Sequence, residues 1–241
     1  MVQRTVVVTG GGTGIGRASA EWFARAGDRV IIAGRREPVL REAASAIGAR
    51  AVVADLSGPS GARALAEAID GEIGVLVNNA GGNPDLQGTP APAGLDGVRA
   101  AWQRNFDANV LTAVLATEAL RERIADHGRV ITIGSIAARS GAASYGAAKA
   151  AVEAWNLSLG GELGPRGITC NVVSPGLIID TEFFNGQLSD ERKEMLISQT
   201  ATNRAGVPDD VAETIGWLAS PGAGHITKQV IHVDGGAYAG H

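Results

Sequence analysis

Several things are scarce or missing in this 241-residue chain. Cys170 is its single cysteine, so no disulfide forms within one chain, and the reading is a protein of a reducing compartment, placed in the cytoplasm. Met1-Val2-Gln3-Arg4 runs straight into the apolar "TVVVTG", with no charged, apolar and small-residue succession ahead of it, so no secretory signal is expected. No apolar run reaches membrane-spanning length; "NVLTAVLATEAL" is broken by Glu118. Excess positive charge is absent too. The net charge of −4 and the missing basic stripe exclude a general nucleic-acid binder. His127, His225, His232 and His241 are scattered without ligand spacing, so no metal site is expected. There is no linker and no short internal repeat, which makes residues 1–241 a single domain.

Apolar residues make up 45% of the chain, enough for a sizeable core. Short β-branched runs at 4–10, 29–34, 50–55, 73–79, 129–135, 168–174 and 229–235 lack apolar–polar alternation, as strands buried on both faces do. Between them lie helical stretches near 15–26, 37–47, 60–70, 98–126, 144–163 and 208–219. This alternation predicts an α/β, doubly wound, Rossmann-type domain: a seven-stranded parallel sheet with helices on both faces. Two connections are too long to be plain. They are the Pro/Gly-rich 81–97 and residues 175–207, within which 180–205 reads as a lid carrying the apolar Phe183, Phe184, Met195 and Leu196. Both follow carboxyl ends of strands, where open parallel sheets bind ligands.

The first strand leads into "TGGGTGIG", then a helix. Gly10, Gly14 and Gly16 allow a tight turn and close approach of backbone to a pyrophosphate, and the helix start offers free N–H groups. The second strand, "VIIAGRRE", ends without the carboxylate that holds a ribose 2′-hydroxyl; Arg35 and Arg36 stand there instead, and they suit a 2′-phosphate. The expected cofactor is therefore NADP(H) rather than NAD(H), with Glu37 as the contrary sign.

In "SYGAAKAAVE", Tyr145 precedes Lys149 by four residues, in a chain with two Tyr and three Lys. Shuffling would give such a pair about 0.025 times. On a helix the two share a face. A neighbouring ammonium, together with the positive charge of an oxidised nicotinamide, is expected to lower the phenol's pKa, and the small Gly146, Ala147, Ala148, Ala150 and Ala151 leave room for a cofactor.

Together these residues resemble the short-chain dehydrogenase/reductase family along essentially the whole chain: "TGGGTGIG", Asp55, "NNAG" at 78–81, Asn109, Ser135, "YGAAK" at 145–149, "SPG" at 174–176 and "VDGG" at 233–236. Within the family the chain is most similar to the 3-oxoacyl-(acyl-carrier-protein) reductase type. The resemblance implies catalytic roles for Ser135, Tyr145 and Lys149, with Asn109 supporting a water-linked proton path. It implies cofactor contacts at Gly10, Thr13, Gly14, Ile15, Gly16, Asp55, Leu56, Asn79, Ala80, Gly81, Pro175, Gly176, Ile178 and Thr181, with Asn78 also walling the cleft. A homotetramer built on the helices around Asn109 and Tyr145, with a further contact from the tail "VDGGAYAGH", is implied as well. Three features depart from the pattern. Ser135 and Tyr145 are only ten residues apart, Thr181 falls one residue late, and Asp126 replaces one of two basic residues, Arg166 being the other, that carrier-protein reductases offer.

The implied activity is NADP(H)-dependent reduction of a ketone, a 3-oxoacyl thioester first, with an acyl carrier protein as a possible partner. The alternatives are an NAD-dependent dehydrogenase of a sugar, polyol or other secondary alcohol, and a dinucleotide-sensing module without turnover.

Overall fold

A computed structural model of the chain describes residues 3–87 and 93–238. Seven strands, β1 (Thr5–Thr9), β2 (Arg29–Gly34), β3 (Arg50–Val53), β4 (Ile73–Asn78), β5 (Ile124–Ile133), β6 (Thr169–Pro175) and β7 (Val230–Val233), form one sheet in the order β3-β2-β1-β4-β5-β6-β7. Every pairing is parallel. The helices are α1 (Gly14–Arg25), α2 (Glu37–Ile47), α3 (Pro59–Glu67), α4 (Gly94–Phe106), α5 (Thr112–Leu120), α6 (Ala137–Ser140), α7 (Ala143–Leu163), α8 (Asp190–Ser198) and α9 (Pro208–Leu218). The Rossmann-type architecture expected from the sequence is the one observed.

The period-two geometry of a strand explains why no polar alternation was visible. Val6, Val8, Ile32, Val75, Val77 and Ile131 point into one core, beneath α1, α2 and α9. Val7, Ile31, Leu76 and Val130 point into the other, with Leu65 of α3, Leu120 of α5 and Leu159 of α7. Each such fully buried aliphatic side chain is worth about 1.5–3 kcal/mol. Both faces are buried, so apolar residues fill both sides of the central strands.

Two expected boundaries move. The stretch 98–126 is not one helix: α4 gives way to a π-helical turn at Asp107–Leu111 before α5 begins. The cause is Asn109. Its Nδ2 donates to the carbonyl of Asn105, four residues back, and to that of Gly82, so the backbone ladder slips by one place. The following strand begins at Ile124 rather than 129, because Ile124 pairs with Ile73 across a register shift before the regular ladder starts at Val75 and Arg129. Parts of two expected features, residues 88–92 of the first long loop and 239–241 of the tail, lie outside the described residues.

β1 and β4 are neighbours in the sheet, although β2 and β3 lie between them in chain order. The connections leaving their carboxyl ends diverge there, and a crevice opens.

Candidate active site

That crevice is an open cleft of about 1110 Å³. Its floor is the glycine loop. Gly14 has φ +51°, a conformation other L-residues rarely adopt. At Gly16 a Cβ would lie 2.2 Å from the carbonyl oxygen of Gly10, so only glycine lets α1 start this close to the turn. Thr13 caps α1 without a side-chain hydrogen bond, leaving the first helical N–H groups for an anion. The loop is pinned from the side by Asn79, whose Nδ2 donates to the carbonyls of Thr9 (3.0 Å) and Gly10 (3.1 Å). The Thr9 hydroxyl oxygen in turn accepts the N–H groups of Asn79 and Ala80. Sequence reasoning gave Thr9 no role; a threonine ending an apolar strand just before the glycines was the available signal.

Toward the β2 end, the cleft is lined by Arg35, Arg36, Asp55 and Leu56. Glu37, the contrary sign, is taken by Arg41, whose Nε donates to its Oε1 at 2.8 Å. Arg35 is exposed and makes no ion pair among the described residues. Hydrogen bonds from Ser57 hold the Asp55 carboxyl below its ordinary pKa, so it stays an anion that lines the cleft and closes its own local turn.

At the opposite end stand the two residues of the opening motif. Tyr145 and Lys149 are both over nine-tenths buried and both line the cleft. Lys149 Nζ donates to the carbonyl of Ile133 at 2.9 Å and lies 5.8 Å from the centre of the Tyr145 ring. Ser135, two residues past the end of β5, lines the cleft beside Tyr145, and its Oγ accepts the Ala137 N–H at 3.2 Å. The short Ser135–Tyr145 interval is filled by α6 alone. The expected electrostatics need correction. Burial pushes the phenol up to about 12, and the ammonium is not what moves it; the neighbouring Ser135 only tempers the rise. Burial also pulls Lys149 down to about 8. Tyr145 is thus held protonated at neutral pH, as a proton donor must be.

The remaining expected residues divide. Ile15, Gly81, Pro175, Gly176, Ile178 and Thr181 line the cleft with those above. Asn109 does not reach it. Its amide is spent on Asn105 and on Gly82, whose N–H its Oδ1 accepts at 3.1 Å, so it holds the wall beside Gly81 in place. Asn78 is also misplaced by the reading of "NNAG": as the last residue of β4 it turns into the core and donates to Thr117 Oγ1, while Asn79 faces the cleft. Of the apolar lid residues, Phe183 and Phe184 line the cleft, with Phe183 against Tyr145 at 5.6 Å between centroids; Met195 lies on α8, half exposed, and neither it nor Leu196 lines the cleft. Arg166 does not face the cleft either. It pairs with Asp126 at 2.9 Å and donates to the carbonyl of Ile124, beside the amino ends of β5 and β6.

The donor set fits a dinucleotide: a glycine cradle that a Cβ would fill, uncapped N–H groups, and guanidinium groups at the β2 tip. No cluster of His, Cys, Asp or Glu able to hold a metal, and no helix long and apolar enough to cross a membrane, occurs among the described residues.

Comparison with known proteins agrees. Residues 10–238 match a family model described as enoyl-(acyl carrier protein) reductase. The chain is 32% identical to the 3-oxoacyl-[acyl-carrier-protein] reductase FabG of Escherichia coli, over 98% of this chain and 97% of that one. It is 36% identical to an L-rhamnose 1-dehydrogenase (NAD(P)(+)) of Azotobacter vinelandii, over 99% and 98%. A crystal structure of a short chain dehydrogenase from Burkholderia cenocepacia in complex with NADP superposes with a TM-score of 0.83, at 30% identity and 98% coverage of both chains. The chain belongs to the short-chain dehydrogenase/reductase family of oxidoreductases.

Proposed function

We propose that the protein is an NADP(H)-dependent carbonyl reductase whose substrate is a ketone with an apolar flank, a 3-oxoacyl thioester being the best fit. The observation that carries this reading is the buried Tyr145, lining the same cleft as Ser135, Lys149, the glycine loop and Arg35 and Arg36. When bound, the reduced nicotinamide supplies a hydride to the ketone carbon. Tyr145 gives its phenolic proton to the carbonyl oxygen as charge builds there. The Ser135 hydroxyl donates a hydrogen bond to the same oxygen. Lys149 keeps donors free for the cofactor ribose, and its charge eases transient loss of the phenolic proton. Asn109 takes no part in these contacts in this scheme; it fixes Gly82 and so the wall beside Gly81.

Phe183 and Phe184 give the cleft an apolar lining beside Tyr145, which favours an acyl chain over a polyol. Arg166 is neutralised by Asp126 away from the cleft, so a free thioester suits this chain better than a carrier-bound one. The second reading, oxidation of a sugar or other polyol, has support from the rhamnose dehydrogenase relative and from the polar wall of Asn83, Arg104 and Asp107. The purified protein should be offered NADPH with free 3-oxoacyl thioesters, the same acyl groups on a carrier protein, and simple ketones, and NAD⁺ or NADP⁺ with sugars. Fastest consumption of NADPH with free thioesters is expected. Turnover confined to sugars with NAD⁺ would overturn the reading.

A further inference from the structure

The carboxylate missing from the tip of β2 arrives from elsewhere in the chain. Arg36 Nη2 donates to Glu182 Oε2 at 2.6 Å, across 146 residues of sequence, and to the Thr13 hydroxyl at 3.4 Å. Glu182 thus sits among the groups, Arg36 and the N-cap of α1, that suit an anionic ligand. Its neighbours run on across the cleft. The Thr181 methyl lies 3.3 Å from where a Cβ on Gly14 would be, and Phe183 rests on Tyr145. This strap is anchored where Ile178 bridges Gly206 and the Ile179 N–H reaches the Gly206 carbonyl at 3.0 Å. It is flanked by left-handed residues, Asp180 at φ 59°, Asn185 at 48° and Gly186 at 74°. Its hold is light: the Arg36 and Glu182 side chains are 57% and 60% exposed, and an exposed pair of this kind exchanges readily for another anion. A phosphate monoester carries more charge and more acceptor oxygens than a carboxylate, and so displaces it from a guanidinium.

We infer that Glu182 is a cofactor-selectivity residue: its carboxylate occupies Arg36 until the cofactor's ribose 2′-phosphate takes its place, which frees the strap over the cleft. The inference rests on the NADP(H) reading above. It also accounts for a carboxylate held directly on Arg36. A cofactor without the 2′-phosphate has nothing with which to displace Glu182, and the strap stays latched to Arg36.

The test is calorimetric binding of 2′,5′-ADP and of 5′-AMP to wild type, Glu182→Gln and Arg36→Gln, with hydrogen exchange of residues 181–187 in the unliganded proteins. Glu182→Gln should bind 2′,5′-ADP about three- to tenfold more tightly at low ionic strength, the gain fading in high salt. Its affinity for 5′-AMP should stay within about twofold, and its strap amides should exchange faster, as a lost exposed pair implies. Arg36→Gln should weaken 2′,5′-ADP and speed strap exchange likewise. If Glu182→Gln binds 2′,5′-ADP no more tightly than wild type does, the inference is wrong while the cofactor reading stands. If wild type and Glu182→Gln both bind 2′,5′-ADP no better than 5′-AMP, the two fall together.

Discussion

Two buried cations stand at the two ends of the regular ladder of β5, and they have been put to different uses. Arg129, where that ladder starts, is buried and its charge is disfavoured there. Three of its five N–H groups donate to backbone carbonyls, of His127, Gly128 and Ser220, while its Nε is buried without a partner. Lys149, beside the carboxyl end, suffers the same desolvation, yet only one of its three donors is used, on Ile133. Neither has a carboxylate partner among the described residues. The cost of burying the charge is similar in kind; the return differs. At the Arg129 end it ties Ser220 to the sheet, and at the Lys149 end it leaves donors in the cleft that holds Tyr145. Both cations keep donors in reserve; those of Lys149 lie beside Tyr145 in the cleft.

Exchanging each cation for methionine separates the two roles. Lys149→Met should lose turnover by about 10³-fold, the scale of a residue that supports proton transfer, while remaining folded. Arg129→Met should do the reverse: it leaves three carbonyls without their donor and should cost about 3 kcal/mol in urea denaturation, with the folded fraction still active. A Lys149→Met protein that unfolds, or an Arg129→Met protein that is stable but inactive, would break the contrast. The smallest effect is in pH dependence. Lys149 titrates near 8 in the folded chain against 10.5 for an ordinary lysine, so between these values the unfolded chain holds a proton the folded chain has released. Wild-type stability should therefore rise with pH across that window relative to Lys149→Met. Tyr145 and Cys170, both raised to about 12 by burial, pull stability down above pH 9 to 10, but they do so in both proteins and cancel from the difference. Parallel stability–pH curves for the two proteins would contradict a desolvated Lys149.

The contrast also shows which parts of the molecule local sequence can reveal. Strands such as "TVVVTG" and "RVIIAG" were legible because double-sided burial leaves unbroken apolar runs bounded by glycine. The glycine loop and the Tyr145–Lys149 pair were legible because their spacing alone fixes a shared turn or face. What escaped depends on contacts distant in sequence. The π-helical turn at 107–111 exists because Asn109 reaches Gly82, and no helix propensity reports that. The choice between Asn78 and Asn79 turns on where β4 ends, a one-residue matter that reverses the side chain's direction. Glu182 meets Arg36 only once the strap has folded back over the glycine loop. The upward push on the Tyr145 phenol escaped because spacing shows a charged neighbour but not the depth of burial.

The account stands most directly on the phenolic proton of Tyr145. Tyr145→Phe removes one oxygen and leaves the ring in place against Phe183. Titrated by the fluorescence of reduced nicotinamide, the variant should bind NADPH within about twofold of wild type. Its ketone-dependent consumption of NADPH should fall by about 10³-fold or more. Turnover within about tenfold of wild type would mean that some other group supplies the proton, and the site described here would not be the one that does the chemistry.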